Sequence, residues 1–187
     1  TIRNYEWRRE EAFYKQIIER SPYCIDAHIN LGVYYKNRGL FEAAEKKFKQ
    51  VLRFNYNAHV IRYQLADIYV RTKRYDEAIE QLNMVLKLLP GFKEAEIYNN
   101  LGYIYEQKKQ YDKAIDSYNR ALEIKPNLAL PRYNLAKTYL KKGLTKKSFQ
   151  EFEKFLGIEG ILYPMGEGGP SSKEIKDIIR QEKGYSG

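Results

Sequence analysis

Cysteine, histidine and long apolar runs are all scarce in this chain of 187 residues. The single cysteine, Cys24, excludes an internal disulfide and mildly favours a reducing compartment such as the cytoplasm. No apolar run approaches the about 18 residues of a membrane span, so the sequence predicts no transmembrane segment. The chain also begins without methionine, which we interpret as the sign of a fragment, so its lack of a signal peptide carries no weight.

Patterns of catalytic residues are scarce too. Cys24 and His28 lie close in sequence, but no third group stands at an orienting or metal-ligating distance from them. The stretch GEGGPSS at 166–172 lacks the Gly-Lys-Ser/Thr ending of a phosphate-binding loop. The carboxylates are scattered, as is usual on solvated helix faces. The sequence therefore predicts a protein that is not an enzyme and has no cofactor and no metal site.

What the chain does have is a motif that occurs four times. A leucine recurs at intervals of 34, 36 and 34 residues, and glycine or alanine follows it each time. These pairs are Leu31–Gly32, Leu65–Ala66, Leu101–Gly102 and Leu135–Ala136. A tyrosine stands four residues after each leucine, at Tyr35, Tyr69, Tyr105 and Tyr139. A small residue stands thirteen after it, at Ala44, Ala78, Ala114 and Ser148, and a large one seventeen after it, at Phe48, Leu82, Tyr118 and Phe152.

This spacing predicts two antiparallel helices in each copy of the motif. Leu101 and Tyr105 fall on one helical face, and Ala114 and Tyr118 fall on one face of the next helix. The small residues Gly102 and Ala114 let the two backbones approach closely, while large aromatic rings fill the space beside them. Because one helix pair cannot bury its apolar face alone, we expect neighbouring pairs to stack.

The order Leu-Gly, Tyr, Ala, aromatic and Pro at this period resembles the tetratricopeptide repeat. The resemblance implies an all-α fold, a right-handed α-solenoid of stacked antiparallel helix pairs with a C-terminal capping helix. It divides the chain into repeats at 25–58, 59–92, 95–128 and 129–162, after the second helix of a partial repeat at 1–24. A Gly/Pro-rich loop at 163–171 and a capping helix with tail at 172–187 complete the chain. The alternative for that last helix is an arm that docks on another subunit.

Some positions depart from the family pattern. In the fourth repeat Ser148 replaces alanine and Phe155 replaces a small residue, so we expect its packing to be the least regular. His28, Arg62 and Arg132 stand where the family prefers an aromatic residue.

The resemblance also implies a function, which is to bind a partner protein or peptide in a concave groove lined by the first helices and so to help assemble a complex. The implied groove residues are Asn30, Tyr63, Gln64, Asp67, Glu96, Asn99, Asn100, Tyr103, Tyr133, Asn134 and Lys137. The three tyrosines offer an aromatic ladder. The amides at Asn30, Gln64, Asn100 and Asn134 resemble the asparagine ladder of O-linked N-acetylglucosamine transferase, which grips a peptide backbone. The alternatives are packing between repeats for the tyrosines and bonding within the scaffold for the amides.

Charges along the implied groove predict a preference for particular partner residues. Asp67, Glu96 and Glu106 would favour basic residues centrally, and Lys137 with Lys141 would favour acidic residues toward the last repeat. Chaperone tails with a terminal carboxylate are disfavoured. In family members that bind such tails, Lys and Asn stand where this chain has Ile29 and Val33, and a buried unpaired charge is costly.

The net charge is +9, with a pI near 9.4. Basic residues concentrate in the turns within the helix pairs, and we name the following set the basic ridge: Arg71, Lys73, Arg74, Lys108, Lys109, Lys141, Lys142, Lys146 and Lys147. They are either ordinary solvated lysines or a docking surface for an acidic protein or an anionic membrane surface. Nucleic acid is disfavoured, because the motif belongs to the protein-binding relative of the RNA-binding repeats. A homo-oligomer that stacks through its solenoid ends or its C-terminal helix is the alternative function.

Overall fold

The computed structural model describes residues 2–54, 58–158 and 180, with side chains from residue 9 onward in those ranges. These residues form nine α-helices and no strand, so the predicted all-α fold is confirmed for them. The predicted loop at 163–171 and, apart from Arg180, the capping helix at 172–187 lie outside the described residues. No helix in the described ranges is long and apolar enough to cross a membrane.

The chain divides into two compact units, Thr1–Phe92 and Lys93–Gly187. The first unit contains α1 (Ile2–Arg20), α2 (Ile25–Asn37), α3 (Phe41–Arg53), α4 (Ala58–Arg71) and α5 (Tyr75–Leu88). The second contains α6 (Glu94–Gln107), α7 (Tyr111–Ile124), α8 (Ala129–Lys141) and α9 (Thr145–Ile158). Consecutive helices pack as pairs, α2 with α3 and α4 with α5 in the first unit, and α6 with α7 and α8 with α9 in the second.

The small residue after the motif leucine sets the close approach within a pair, as predicted. A Cβ placed on Gly102 would lie 2.5 Å from Cε1 of Tyr118, which is closer than carbon atoms can pack. In the first unit, a Cβ on Gly32 would lie 2.7 Å from Cε1 of Phe48. Tyr118, Phe48 and Ala114 are all fully buried. The aromatic rings therefore lie directly on the backbone of the facing helix, where only glycine leaves room.

The turn within each pair has one residue in the left-handed region. These residues are Gly39 (φ 73°), Lys73 (φ 59°), Lys109 (φ 58°) and Gly143 (φ 78°). The next residue donates its backbone N–H to the carbonyl oxygen of the motif tyrosine. Those bonds run from Leu40 to Tyr35 (3.0 Å), Arg74 to Tyr69 (2.8 Å), Gln110 to Tyr105 (2.9 Å) and Leu144 to Tyr139 (2.9 Å). Because the turns share this bond, the motif tyrosine marks the end of every first helix.

The fourth repeat buries both of its departures from the family pattern. Ser148 is fully buried, and its Oγ donates to the carbonyl oxygen of Ala136 at 2.8 Å. Phe155 is fully buried with Phe152 in one apolar cluster. The hydroxyl is thus satisfied and the larger ring is accommodated within the core.

Polar residues that replace the family's aromatic tie helices together. Arg132 Nη1 donates to Oε2 of Glu151 at 2.8 Å, which joins α8 to α9 through a largely buried ion pair. Arg62 Nη1 donates to Oε1 of Gln81 at 2.7 Å, which joins α4 to α5. These bonds hold the same two helices that an aromatic ring would otherwise hold by packing.

Candidate functional site

The first helices of the second unit, α6 and α8, lie side by side. Asn134 Nδ2 donates to Oδ1 of Asn99 at 3.3 Å, and Lys141 Nζ donates to Glu106 Oε1. Both pairs are separated by 35 residues, so the two helices run parallel and in register between these bonds. The bond between Asn99 and Asn134 belongs to the scaffold, yet each amide has a further donor or acceptor. Asn100 is half-buried on α6.

Two large apolar side chains are exposed along these helices. Tyr103 on α6 is 40% exposed and Leu130 on α8 is 49% exposed. Tyr103 lies one turn after Asn99, and Lys137 lies one turn after Asn134. Because α6 and α8 are parallel with a register of 35 residues, Tyr103 stands level with Thr138, and Lys137 lies one residue, about 1.5 Å along the axis, from that level. We name this face the α6–α8 surface: Asn99, Asn100, Tyr103, Leu130, Tyr133, Asn134 and Lys137.

Tyr133 has a different environment from Tyr103. Its ring centroid lies 6.0 Å from that of Phe152 and 5.7 Å from that of Phe155, at the edge of the core between α8 and α9. Lys137 Nζ lies 5.3 Å from the centroid of the Tyr133 ring, which is within the range of a cation–π contact. For Tyr133, packing within the repeat therefore describes the ring better than an open aromatic ladder does.

The equivalent positions in the first unit are occupied by bonds between α2 and α4. Lys36 Nζ donates to Oε1 of Gln64 at 2.6 Å and to Oδ2 of Asp67 at 3.0 Å. Tyr63 is half-buried, and its ring lies perpendicular to that of Phe92 at 6.3 Å. The Lys36 bonds join α2 to α4, whereas the contact of Tyr63 with Phe92 lies within one predicted repeat, 59–92.

A cavity of about 300 Å³ opens between α1 and α2, and the exposed Asn30 lies on its wall. Its lining consists of Glu10, Tyr14, Asn30, Val33, Tyr34, Asn37 and Arg38. Tyr14 stands one motif period, 34 residues, before Phe48 and is therefore its equivalent in the partial repeat. Tyr14 lines this opening, whereas Phe48 is fully buried against its facing helix. Asn30, a predicted groove residue, thus borders this cavity.

The acidic groove positions already have cationic partners. Asp67 accepts from Lys36 and, at 3.1 Å, from Nε of Arg71. Glu96 accepts from Lys125 Nζ at 3.1 Å. Burial by itself would raise the pKa of Glu96, but hydrogen bonds from backbone N–H and Lys125 outweigh burial and lower that pKa below its ordinary value. Both carboxylates are thus already paired with cations of the same chain.

Glu106 corrects the sequence prediction most clearly. Only 6% of it is exposed, and its carboxylate accepts from Tyr118 Oη at 3.2 Å and from Lys141. Thr138 Oγ1 lies 3.4 Å from the same carboxylate but donates its proton to the carbonyl oxygen of Asn134 at 2.8 Å. Burial, with the neighbouring Glu106 carboxylate, raises the pKa of Tyr118 above its ordinary value, so its hydroxyl stays a donor. The expectation that Glu106 faces a basic partner residue is wrong, because the side chain lies inside the scaffold.

Sequence reasoning missed this network, since it placed Tyr118 in an apolar stripe and Glu106 among the groove-facing charges. The signal that could have found it is the shared separation of 35 residues, which links Glu106 to Lys141 just as it links Asn99 to Asn134.

The basic ridge is largely engaged with the protein itself. Four of its members have carboxylate partners: Arg71 with Asp67, Arg74 with Glu45 and Glu77, Lys141 with Glu106, and Lys142 with Asp112. Lys147 Nζ lies 5.8 Å from the centroid of the Tyr139 ring. Lys73, Lys109 and Lys146 are exposed, and Lys108 is half-buried. These contacts support the interpretation of the ridge as ordinary turn residues more than that of a docking surface.

No group of three or more His, Cys, Asp or Glu side chains is placed to hold a metal ion in the part of the chain that the structure describes.

The sequence profile described as "Tetratricopeptide repeat" matches residues 57–127 and 93–158, which together make up more than half of the chain. The chain therefore belongs to the tetratricopeptide repeat family, as its motif predicts. Members of this family are generally non-catalytic interaction scaffolds.

Solved structures agree with this assignment. A crystal structure of MamA is 25% identical with a TM-score of 0.72, and the match covers 79% of this chain and 85% of that one. MamA from Desulfovibrio magneticus RS-1 is 21% identical with a TM-score of 0.75, covering 84% and 88%. YrrB, described as "a TPR protein with an unusual peptide-binding site", is 22% identical with a TM-score of 0.71, covering 84% and 80%. The comparison with curated proteins found no match. These likenesses confirm the predicted tetratricopeptide-repeat fold.

Proposed function

We propose that this protein is a non-catalytic scaffold that binds a partner polypeptide on the first-helix faces of its repeats and helps assemble a larger complex. The family assignment supports the general role. The peptide-binding site named for YrrB supports a polypeptide as the ligand.

The observation that carries the proposal is the composition of the α6–α8 surface. Tyr103 and Leu130 expose large apolar area that the fold does not bury. Asn99 and Asn134 lie beside them and are already held in place by their mutual bond. An exposed aromatic ring next to oriented amides is suited to an extended polypeptide, since the ring contributes contact area and the amides pair with backbone groups.

Binding on this surface follows from the chemistry of the two residue types. The Tyr103 ring covers an apolar side chain of the partner and excludes water from the bonds beside it. An Asn amide donates to a backbone carbonyl and accepts from a backbone N–H, so it reads an extended chain whatever its side chains are. Because these amides are held by the scaffold, little side-chain entropy is lost when the segment binds.

Substitutions at the α6–α8 surface test the proposal. The partner is first identified by affinity capture from the native source, and its dissociation constant is then measured by calorimetry. We expect Tyr103→Ala to weaken binding by about 2 kcal/mol, as for a desolvated aromatic anchor. Asn134→Ala should cost about 0.5–1.5 kcal/mol, the net contribution of an ordinary hydrogen bond.

The matched control is Tyr23→Ala, which removes a tyrosine that is 78% exposed in the first unit. Circular dichroism must be unchanged in each variant, and binding is measured well below the melting temperature of the least stable one, since Asn134→Ala also removes a bond of the scaffold. If Tyr103→Ala binds the partner as tightly as Tyr23→Ala does, the α6–α8 surface is not the binding site.

A further inference from the structure

After the ion pairs within the chain are accounted for, the charge on the proposed α6–α8 surface is positive. The acidic positions are neutralised by this chain itself, Glu96 by Lys125 and the buried Glu106 by Lys141. Lys137 has no carboxylate within ion-pair distance in the described part of the chain, and its ammonium lies against the Tyr133 ring. The ring leaves the other directions of the ammonium open to an anion, because a cation–π contact uses only one face of the charge.

The surroundings of Lys137 reinforce this positive potential. Helix α8 contains no Asp or Glu. Residues 129–158 contain seven Lys or Arg against two Glu, whereas residues 93–127 contain six of each sign. One of those two acids, Glu151, pairs with Arg132 and with Lys154. The last described helix pair therefore attracts anionic segments from solution, and Lys137 is where that charge meets the proposed surface.

Tyr103 stands within about one residue, or 1.5 Å along the axis, of the level of Lys137 on the neighbouring parallel helix. A polypeptide that lies across this level meets an exposed aromatic ring from α6 and an ammonium group from α8. The chemistry complementary to this pair is an apolar side chain beside a carboxylate.

We infer that the segment bound on the α6–α8 surface is acidic and carries an Asp or Glu that pairs with Lys137, beside an apolar residue that contacts Tyr103. This inference rests on the proposed function. It keeps the sequence prediction that Lys137 favours acidic residues. It replaces the predicted central preference for basic residues, because the carboxylates that motivated that preference are paired within the fold.

The test is a selection from a random-peptide phage library on the folded protein, performed in parallel on the wild type, Lys137→Glu, Lys109→Glu and Tyr103→Ala. Lys109→Glu is the matched control, since it reverses the same charge at an exposed turn position of the same unit. We expect the wild type to enrich peptides with Asp or Glu beside an apolar residue. A selected peptide should bind about tenfold more weakly to Lys137→Glu. At this half-buried position, the carboxylate of the new glutamate repels the acidic residue of the peptide. The affinity of the same peptide for Lys109→Glu should stay within about twofold of its affinity for the wild type, because solvent and salt screen an exposed charge that is remote from the bound peptide.

The outcomes separate the inference from the proposed function. Enriched peptides that lack an acidic bias, or that bind Lys137→Glu and Lys109→Glu equally, overturn the acidic preference. If their binding still depends on Tyr103, the surface itself stands. If the wild type enriches no peptides other than those that the Tyr103→Ala variant also enriches, the surface is not a polypeptide-binding site and both proposals are overturned.

Discussion

The two helix pairs of the second unit build the same motif in different ways. In α6–α7, Gly102 lies directly against the ring of Tyr118, and the Tyr118 hydroxyl donates to the buried Glu106. In α8–α9, alanine stands in place of that glycine, and Phe152 stands in place of the tyrosine. Ser148 adds a buried hydroxyl, which donates to the carbonyl oxygen of Ala136.

This difference shows that the motif specifies complementary volumes and satisfied polar groups more than particular residues. Glycine is required only where the ring lies on the facing backbone. A serine is tolerated in the core because a helix carbonyl is within reach of its hydroxyl. The two pairs also differ at their turns, where Lys109 and Gly143 occupy the same left-handed position. Each difference gives a substitution that tests it.

The largest effect is expected at the closest approach. Gly102→Leu should destabilise the protein by about 3 kcal/mol or more, because the new side chain must displace the buried Tyr118 ring. The measurement is urea unfolding followed by circular dichroism. Gly157→Ala is the control, since the Cβ position of that helical glycine has no contact within 4 Å beyond its own local backbone. It should change the stability by less than about 1 kcal/mol, the Gly-to-Ala difference in a helix interior, because Gly157 stands at the end of α9. If the two substitutions have similar effects, the close approach at Gly102 does not require glycine.

A smaller loss is expected at Ala114, a fully buried position where the native residue already has a Cβ. Ala114→Leu should cost about 1–3 kcal/mol by overpacking the fully buried position between α6 and α7. A change at the equivalent position of the other pair, Ser148→Ala, should cost less than about 1 kcal/mol. It removes the buried hydroxyl itself, so no polar group of that side chain is left without a hydrogen-bond partner. Thermal melting compares the two. A neutral Ala114→Leu would contradict the assignment of the two apolar stripes to one interface.

The smallest effects are expected at the turns, and they have opposite signs. Lys109→Gly should stabilise the protein by about 0.5–1 kcal/mol, because the strain of a non-glycine residue at positive φ exceeds the entropy that glycine loses on folding. Gly143→Lys should destabilise the protein by a similar amount. Melting of the two single variants and their combination checks this, and the combined change should be close to zero. Two changes of the same sign would show that the turns are not equivalent.

Much of the fold was predictable because its rules are local. Leucine and tyrosine four residues apart lie on one helical face in any context, and the period of the motif requires stacked pairs. The role of Gly102 was predictable for the same reason, since a residue without a side chain permits close packing wherever it faces a ring. The left-handed lysines were not predicted, because a basic residue in a polar turn carries no local sign of a positive φ.

The candidate site was only partly predictable. Its residues lie on the first helices, as the motif indicates, but their availability depends on partners far away in sequence. Glu106 reads as an exposed acid until Lys141, 35 residues later, is placed beside it. Tyr133 reads as a partner of Tyr103 until Phe152 and Phe155 are seen to pack against it.

The sequence by itself determined the family, the helix pairs and the residues that face one another within each pair, because these follow from helical periodicity and side-chain volume. Only the tertiary structure decided which charges and rings remain for a partner. Whether a carboxylate is neutralised depends on the distance to a cation in another repeat, and electrostatic energy varies with that distance and with burial. Lys137 is distinguished from the paired lysines around it by position in space alone.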